Sequence, residues 1–356
     1  MRLPAPRPDL GLREGYHSVQ VDVDVRLNTN ESPFPPPAAF VEALAAEVAA
    51  IQYHRYPDRD ATALRAALAA WHGVRPDQVF CANGSNEVLQ TLCLAYGGPG
   101  RSVLTFEPTY ALHAHIAHLT GTEVVEAGRR DDFSIDPVVI TDVCATARPA
   151  ITFLCSPNNP TGMIEAPSLV RHTLSVAPGL VVVDEAYGQF ADWSALGLVD
   201  DESPLVVTRT FSKTWSLAGL RLGYLIGAAG VVAQLQRVAL PYHLDAFKQV
   251  AGCLALRHVD EMEARVALIV RERQRVAAAL GAFGPSVVTV WPSQANFVLF
   301  RPETRKGTDV WQGLVDRGVL VRDTSSWPGL AGCLRITIGT PKENDRFLTA
   351  LTEVIT

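Results

Sequence analysis

The stretch Thr210-Phe211-Ser212-Lys213-Thr214-Trp215-Ser216-Leu217-Ala218-Gly219-Leu220-Arg221 places a lysine in a weakly charged segment of a chain that otherwise favours arginine. Of the 31 basic residues, only 4 are lysines. An amine can lose its proton, whereas the guanidinium of arginine stays charged in proteins. A desolvated lysine near a cation has a lowered pKa and can form a Schiff base with a carbonyl compound. Ser212 and Arg221 add a hydroxyl and a permanent cation, and both suit a phosphate group.

Taken alone, Lys213 would be interpreted as an exposed lysine on a loop between two strands, because most lysines are exposed. A second segment argues otherwise. Residues 180–183 are an apolar run typical of a buried strand, and Asp184 follows them. Open α/β sheets bind ligands beyond the carboxyl ends of their strands. An aspartate there can keep a pyridine nitrogen protonated, although a helix-capping aspartate would give the same short pattern.

Two more apolar runs lead into turns with polar side chains. Residues 150–155 precede Ser156-Pro157-Asn158-Asn159-Pro160-Thr161-Gly162, where two prolines fix φ on either side of an amide pair. Residues 79–82 precede Asn83-Gly84-Ser85-Asn86, which is typical of a glycine turn and a capped helix start. The amino terminus of a helix offers N–H groups and a favourable dipole to a phosphate, although a capped helix after a strand is common.

In these segments the chain resembles the fold-type I aminotransferases, and it most closely resembles the histidinol-phosphate aminotransferase family. The matching segments occur in the family's order from about residue 26 to 340. They are Arg26-Leu27-Asn28-Thr29-Asn30-Glu31, Arg55-Tyr56-Pro57-Asp58, Asn83 to Glu87, Pro108-Thr109-Tyr110, Ser156 to Gly162, Asp184 to Tyr187, Ser212-Lys213, Ala218 to Arg221 and Cys333 to Thr340. The resemblance implies a homodimeric enzyme that uses pyridoxal 5'-phosphate.

The resemblance also implies roles for individual residues. Lys213 would bind the cofactor as a Schiff base and move the substrate's α-proton, Asp184 would pair with the ring nitrogen, and Tyr187 would contact the ring hydroxyl. The further cofactor contacts implied are Gly84, Ser85, Asn86, Tyr110, Asn159, Thr210, Ser212 and Arg221, with Tyr56 reaching in from the neighbouring subunit. The substrate contacts implied are Asn30, Arg322, Arg335 and Tyr16.

The substrate itself is less closely specified. Arg322 and Arg335 match the family region that binds a substrate phosphate, but Tyr16 lacks the Pro-Tyr context of the family's tyrosine. Relatives transaminate aromatic amino acids, and the same fold serves a threonine-phosphate decarboxylase.

An alternative of another class is a ligand-sensing regulator with a DNA-binding module. It is disfavoured because no helix-turn-helix pattern precedes the matching segments.

Composition restricts the remaining classes. The net charge of −6 disfavours binding to nucleic acid. The sequence contains no run of eighteen apolar residues, so no membrane span is predicted. The six cysteines have no zinc-like spacing, so buried free thiols in a reducing cytoplasm are expected.

His113, His115 and His118 cluster on one predicted helix. Without a carboxylate or cysteine at matched spacing, they favour a helix surface or a subunit contact over a metal site.

Alternating strand and helix patterns predict an α/β fold with a mostly parallel central sheet that allows one antiparallel strand. Strands are expected near residues 79–82, 102–106, 123–126, 150–155, 180–184, 205–208 and 221–226, with a loop instead of a helix before the last. After a long helix over about 260–280, shorter elements predict a smaller α+β domain. The predicted division is an N-terminal arm over 1–30, a large cofactor-binding domain over 31–250 and a small domain over 251–356.

Overall fold

The computed structural model describes Pro4 and residues 19–355, and these contain two β-sheets covered by helices. In chain order the strands are β1 (Val25–Leu27), β2 (Val79–Ala82), β3 (Ser102–Glu107), β4 (Glu123–Gly128), β5 (Ile151–Cys155), β6 (Leu180–Asp184), β7 (Leu205–Thr210), β8 (Gly223–Gly227), β9 (Val288–Val290), β10 (Phe297–Pro302), β11 (Val319–Asp323) and β12 (Leu334–Thr337). The α-helices are α1 (Ala38–Ala50), α2 (Thr62–His72), α3 (Ser85–Tyr96), α4 (Leu112–Leu119), α5 (Pro137–Ala147), α6 (Pro167–Val176), α7 (Ala229–Val238), α8 (Ala246–Ala255), α9 (Val259–Gly281), α10 (Gly307–Val315) and α11 (Pro341–Ile355).

The larger sheet has the strand order β2-β8-β7-β6-β5-β3-β4. Strand β8 runs antiparallel to both of its neighbours, and the other pairings are parallel. The prediction of a mostly parallel sheet with one antiparallel strand is therefore confirmed. Along β6, Val182 packs into one core cluster while Val181 and Val183 pack into another. This burial on both faces explains the unbroken apolar run in the sequence.

One expected helix is absent. Between β6 and β7 the chain forms two short 3-10 turns, Gly188–Phe190 and Ala195–Leu198, where the alternating pattern predicted a helical crossover. The carboxylate of Glu185 accepts a hydrogen bond from the Ala195 N–H at 2.6 Å and bonds the Ser194 hydroxyl. These bonds hold the segment in turns because they satisfy its backbone locally.

The smaller sheet has the order β1-β11-β12-β10-β9. Strand β1 pairs in parallel with β11, with Val25 opposite Val319, so part of the predicted N-terminal arm belongs to this sheet. Helix α9 is the long helix that the sequence predicts, and with α10 and α11 it packs on this sheet around Phe297 and Phe347. The domain boundaries at residues 30 and 250 stay predictions.

The topology determines where polar side chains gather. Strands β3, β5, β6 and β7 are parallel, so their carboxyl ends meet at one edge of the larger sheet. The loops that follow these strands face the segment that continues from β1.

In the described part of the chain, no helix combines the length and apolar character that a bilayer crossing requires. The six cysteines form no disulfide, and five of them are buried, as the sequence predicts.

Candidate active site

A cavity of about 370 Å³ lies at this edge of the larger sheet, next to β12 of the smaller one. Most of the residues that the sequence predicts for the site line it together. They are Asn30, Ser85, Asn86, Tyr110, Asn159, Asp184, Tyr187, Thr210, Ser212, Lys213, Arg221 and Arg335. Because these positions span about 300 residues of chain, only the tertiary fold brings them to one place.

Lys213 projects from the loop between β7 and β8, and its Nζ donates a hydrogen bond to the Thr29 carbonyl oxygen at 3.1 Å. Burial, together with the nearby guanidinium of Arg335, lowers the pKa of this amine to about 8 against the opposing effect of the Glu31 carboxylate. Both effects disfavour the charged form. A larger share of the amine is therefore neutral near pH 7 than for an exposed lysine, as a nucleophile or base requires.

Asp184 ends β6 and is 1% exposed. Its Oδ1 accepts hydrogen bonds from the Ala186 N–H at 3.2 Å and from the Thr208 hydroxyl at 3.1 Å. Its Oδ2 lies 3.0 Å from Nε2 of His113. The carboxylate is thus held from two sides in the cavity wall, where a buried charge needs such partners.

His113 is the residue that sequence reasoning misplaced. The prediction of a helix surface or subunit contact was wrong for it, because its side chain is 1% exposed and its ring stacks on Phe153 at 4.7 Å. The signal was present in helix α4, since Ile116 and Ala117 follow it by three and four positions and lie on the same buried face. The residues described here contain no group of three or more metal-binding side chains.

One end of the cavity is rich in hydrogen-bond donors. The Thr210 hydroxyl donates to Ser212 Oγ at 2.9 Å, and Arg221 Nη1 donates to the same oxygen at 3.1 Å. Ser85 begins α3, so the unpaired N–H groups of that helix point toward this end. Hydroxyls, a guanidinium and a helix amino terminus together form an anion-binding cup, which we call the phosphate cup (Ser85, Thr210, Ser212 and Arg221).

Two glycines let the phosphate cup close. Gly84 adopts φ +83°, and a Cβ at this position would lie 2.7 Å from Nη2 of Arg221. A Cβ on Gly223 would lie 2.3 Å from the backbone nitrogen of Ser85. Larger side chains would push the arginine and the helix terminus apart, so the close approach depends on glycine.

The other end of the cavity is formed by Arg335 and its partners. Arg335 is 2% exposed, donates from Nη2 to the Asn28 carbonyl oxygen at 3.0 Å and bonds Asn159 Oδ1 through Nη1. Asn30 donates from Nδ2 to the Tyr187 hydroxyl oxygen at 2.9 Å. Burial raises the pKa of the Tyr187 hydroxyl, so this group keeps its proton at neutral pH.

Tyr110 lies between these two ends, and its hydroxyl donates to Asn86 Oδ1 at 3.2 Å. Besides Gly84 of the turn before α3, two predicted residues lie away from the cavity lining. Tyr56 is 80% exposed and stacks on Tyr242 at 4.5 Å, while the guanidinium of Arg322 lies 5.6 Å from the ring centre of Trp327. Tyr16 falls outside the described residues.

Residues 22–351 match the family model of aminotransferase class I and II. The chain belongs to this family. The chain is 48% identical to a histidinol-phosphate aminotransferase of Frankia casuarinae, with 96% of this chain and 88% of the relative covered. It is 46% identical to the enzyme of the same name from Mycobacterium marinum, with 98% and 94% covered.

Solved structures give the same picture of the fold. A putative histidinol-phosphate aminotransferase of Erwinia carotovora atroseptica is 26% identical, has a TM-score of 0.84 and is matched over 92% of this chain and 95% of that one. The histidinol-phosphate aminotransferase of Sinorhizobium meliloti, solved in complex with pyridoxal-5'-phosphate, is 24% identical and has a TM-score of 0.83, with 94% and 91% covered. The predicted fold class is therefore confirmed.

The cavity of this aminotransferase fits pyridoxal phosphate on its own donor set. The phosphate cup suits a dianion, and the Asp184 carboxylate suits a protonated pyridine nitrogen. Lys213 supplies a partly neutral amine for the aldehyde, and Tyr110 offers an aromatic surface for a ring. The phosphate, the ring nitrogen, the aldehyde and the ring face of the cofactor thus each find a suitable group in one cavity.

Proposed function

We propose that this aminotransferase takes the amino group of histidinol phosphate, passes it to 2-oxoglutarate and works with pyridoxal phosphate as a cytoplasmic homodimer. The relatives at 45–48% identity over nearly the whole chain carry the name of this activity. The structural observation that supports it best is Lys213, with its lowered pKa, in a cavity between the phosphate cup and the buried Arg335. Cations at both ends suit a cofactor phosphate and an anionic substrate.

The chemical step is proton transfer at the substrate α-carbon. When bound, pyridoxal phosphate supplies an electron-poor ring that stabilises the negative charge left at this carbon. The neutral amine of Lys213 takes the α-proton, and the carboxylate of Asp184 keeps the proton on the ring nitrogen. Tyr187, whose raised pKa keeps its hydroxyl protonated, and Asn159 both line the cavity, and they would hydrogen-bond the ring hydroxyl.

Recognition of the substrate phosphate is proposed for the arginine pair on the smaller sheet. Arg322 on β11 is directly opposite Arg335 on β12. Directly paired side chains leave an antiparallel sheet on the same face, and two like charges in that position repel each other. An anion held by both guanidinium groups removes this repulsion, which favours a phosphorylated donor.

Changing Arg322 to alanine should lower kcat/KM for histidinol phosphate by one or more orders of magnitude. Loss of one member of a buried charged contact typically costs about 2–5 kcal/mol. Phenylalanine, whose carboxylate would rely chiefly on Arg335, should lose much less activity. The measurement is steady-state kcat/KM for both donors, with Arg317→Ala as the control because Arg317 is half-exposed and pairs with Glu353.

Equal losses for both donors in Arg322→Ala would contradict this assignment. A panel of histidinol phosphate, phenylalanine, tyrosine and threonine phosphate tests the function itself. A wild-type enzyme that ignores histidinol phosphate but accepts the aromatic donors would be an aromatic aminotransferase. Loss of carbon dioxide from threonine phosphate would indicate the decarboxylase.

The homodimer is supported by an aromatic surface near the phosphate cup. Tyr53, Tyr56 and Leu240 are 70%, 80% and 76% exposed, and Tyr56 stacks on Tyr242. The loop with Tyr242 contacts the turn before α3, because Asn83 Nδ2 donates to the His243 carbonyl oxygen at 2.8 Å. An exposed cluster of large apolar side chains commonly marks a protein interface. A two-fold interface there would bring Tyr56 of one subunit to the cup of the other.

Changing Tyr56 to phenylalanine should raise the dissociation constant for pyridoxal phosphate about tenfold, as expected for a lost hydrogen bond to a charged group. The chemistry at Lys213 should be preserved when the cofactor is saturating. The measurement is a cofactor titration followed by absorbance, with Tyr53→Phe as the control for loss of a nearby hydroxyl. A fully active monomer by light scattering would refute the shared site.

A further inference from the structure

Asn30 has an unusual backbone conformation for a residue other than glycine, and each of its polar groups is hydrogen-bonded. Its φ of +55° lies in the left-handed region, which asparagine tolerates better than most residues. The Asn30 N–H donates to the Thr337 hydroxyl oxygen at 2.9 Å, and the Asn30 carbonyl oxygen accepts from Asn296 Nδ2 at 3.2 Å. The buried side-chain amide bonds Thr337 through Oδ1 at 3.0 Å and Tyr187 through Nδ2 at 2.9 Å. A strained conformation that is held at every polar group points to a positioning function.

The smaller sheet fixes both Thr337 and the ring of Tyr187. Thr337 is buried and lies two residues after Arg335 on β12, so both side chains leave the strand on the same face. Phe297 on β10 is directly opposite Thr337, and the Tyr187 ring packs nearly perpendicular to it, with ring centres 5.0 Å apart. The smaller sheet thus determines where the Tyr187 hydroxyl lies, although Tyr187 follows β6 of the larger sheet.

The hydroxyl of Thr337 sets the orientation of the Asn30 amide. A backbone N–H can only donate, so this hydroxyl accepts from the Asn30 N–H and has its own proton to give. Oδ1 of Asn30 accepts that proton. A flipped amide would present a second N–H donor here and would leave the hydroxyl proton without an acceptor at this contact. The amide is therefore held with Nδ2 toward Tyr187.

The orientation of this amide in turn directs the O–H of Tyr187. Because the Tyr187 oxygen accepts from Asn30 Nδ2, the hydroxyl proton has to point elsewhere. Among the described residues, no acceptor takes this proton, and Tyr187 lines the cavity. Burial raises the pKa of the hydroxyl, so the proton is present at neutral pH. It is thus available to an acceptor inside the cavity.

We propose that Thr337 is a positioning residue: its hydroxyl orients the Asn30 amide, which turns the O–H of Tyr187 toward the ring hydroxyl oxygen of bound pyridoxal phosphate. The inference rests on the proposed function, in which Tyr187 hydrogen-bonds that oxygen. Without the Thr337 hydroxyl, the Asn30 amide can flip, and its Oδ1 can then accept the Tyr187 proton. The cofactor would lose one donor although Tyr187 is still in place.

The test compares Thr337→Val with Thr337→Ser. Valine has nearly the shape of threonine without the hydroxyl, whereas serine keeps the hydroxyl. For T337V we expect the dissociation constant for pyridoxal phosphate to rise about tenfold, the size of a lost hydrogen bond to a charged group, when the cofactor-free protein is titrated. The visible absorbance band of the bound cofactor should shift, and kcat should fall by a similar factor. T337S should restore all three properties.

A double-mutant cycle with Tyr187→Phe separates this role from a purely structural one. If Thr337 acts through the Tyr187 hydroxyl, T337V should change neither cofactor affinity nor the absorbance band once that hydroxyl is gone. The control for removal of a buried threonine hydroxyl is Thr173→Val, because Thr173 on α6 donates to the Leu169 carbonyl oxygen of its own helix. T173V should behave as the wild type.

Three results would overturn the inference: a T337V enzyme with the affinity and band of the wild type, a T337S enzyme as impaired as T337V, or an undiminished effect of T337V in the Y187F background. If T337V does not fold, Thr337→Cys replaces it, because a thiol is only a weak donor. A wild-type protein that neither binds pyridoxal phosphate nor turns over a donor overturns the proposed function instead, before any variant is compared.

Discussion

Changing Lys213 to alanine is expected to abolish turnover, with kcat reduced at least about 10³-fold, because the variant lacks the base that moves the α-proton. Alanine also removes the amine that binds the cofactor aldehyde. The phosphate cup remains intact, because Thr210, Ser212 and Arg221 bond one another without the lysine. Some pyridoxal phosphate should therefore still bind. The measurements are single-turnover kinetics with histidinol phosphate and an absorbance spectrum of the purified protein.

The matched control is Lys306→Ala, since Lys306 is an exposed lysine at the start of α10. This variant should retain the yellow colour and the activity of the wild type. Substantial turnover in Lys213→Ala would assign the base to another residue. A colourless wild type that gains no absorbance with added pyridoxal phosphate would remove the cofactor assignment altogether.

The second large effect is expected at Asp184. Alanine at this position should reduce kcat about 10²-fold or more, the size of effect seen when a preorganised electrostatic contact to the reacting centre is lost. The variant lacks the carboxylate that would hold a proton on the ring nitrogen of the bound cofactor, so negative charge at the substrate α-carbon would be less well stabilised. Steady-state kinetics with histidinol phosphate measure the loss, and absorbance confirms that the variant still binds the cofactor.

Asp184→Asn separates charge from shape. Asparagine can keep an acceptor for the Thr208 hydroxyl and the Ala186 N–H, so the fold around β6 should be retained while the negative charge is removed. We expect this variant to be almost as slow as Asp184→Ala. If it keeps wild-type activity, the contact to the ring nitrogen belongs to another group.

The strand ends of the site could be predicted from sequence because their signals are local. Residues 180–183 are apolar on both faces of a strand, and the acid that follows must lie at its carboxyl end. The loop of Lys213 was predictable for a similar reason, since Thr210 ends one strand and Gly223 begins the next. The resemblance to a family then assigned roles to residues at these ends.

The contacts across the molecule could not be read from the sequence. The bond between Lys213 and the Thr29 carbonyl oxygen joins positions 184 residues apart, and the bond between Arg335 and the Asn28 carbonyl oxygen joins positions 307 apart. These pairs form because β1 adds to the edge of the smaller sheet and carries residues 28–31 into the cavity. Sheet pairing of this kind depends on the whole fold and has no local pattern.

The sequence by itself determined the mostly parallel sheet, the positions of the lysine and the aspartate, and the glycine turn of the phosphate cup, because each depends on the order of a few neighbouring residues. Only the tertiary structure decided the environment of these groups. Burial together with the distant Arg335 lowers the pKa of Lys213, and a helix packed against β5 brings His113 to Asp184. Charge interactions and desolvation act through space, so they are decided by which residues the fold brings together and how deeply it buries them.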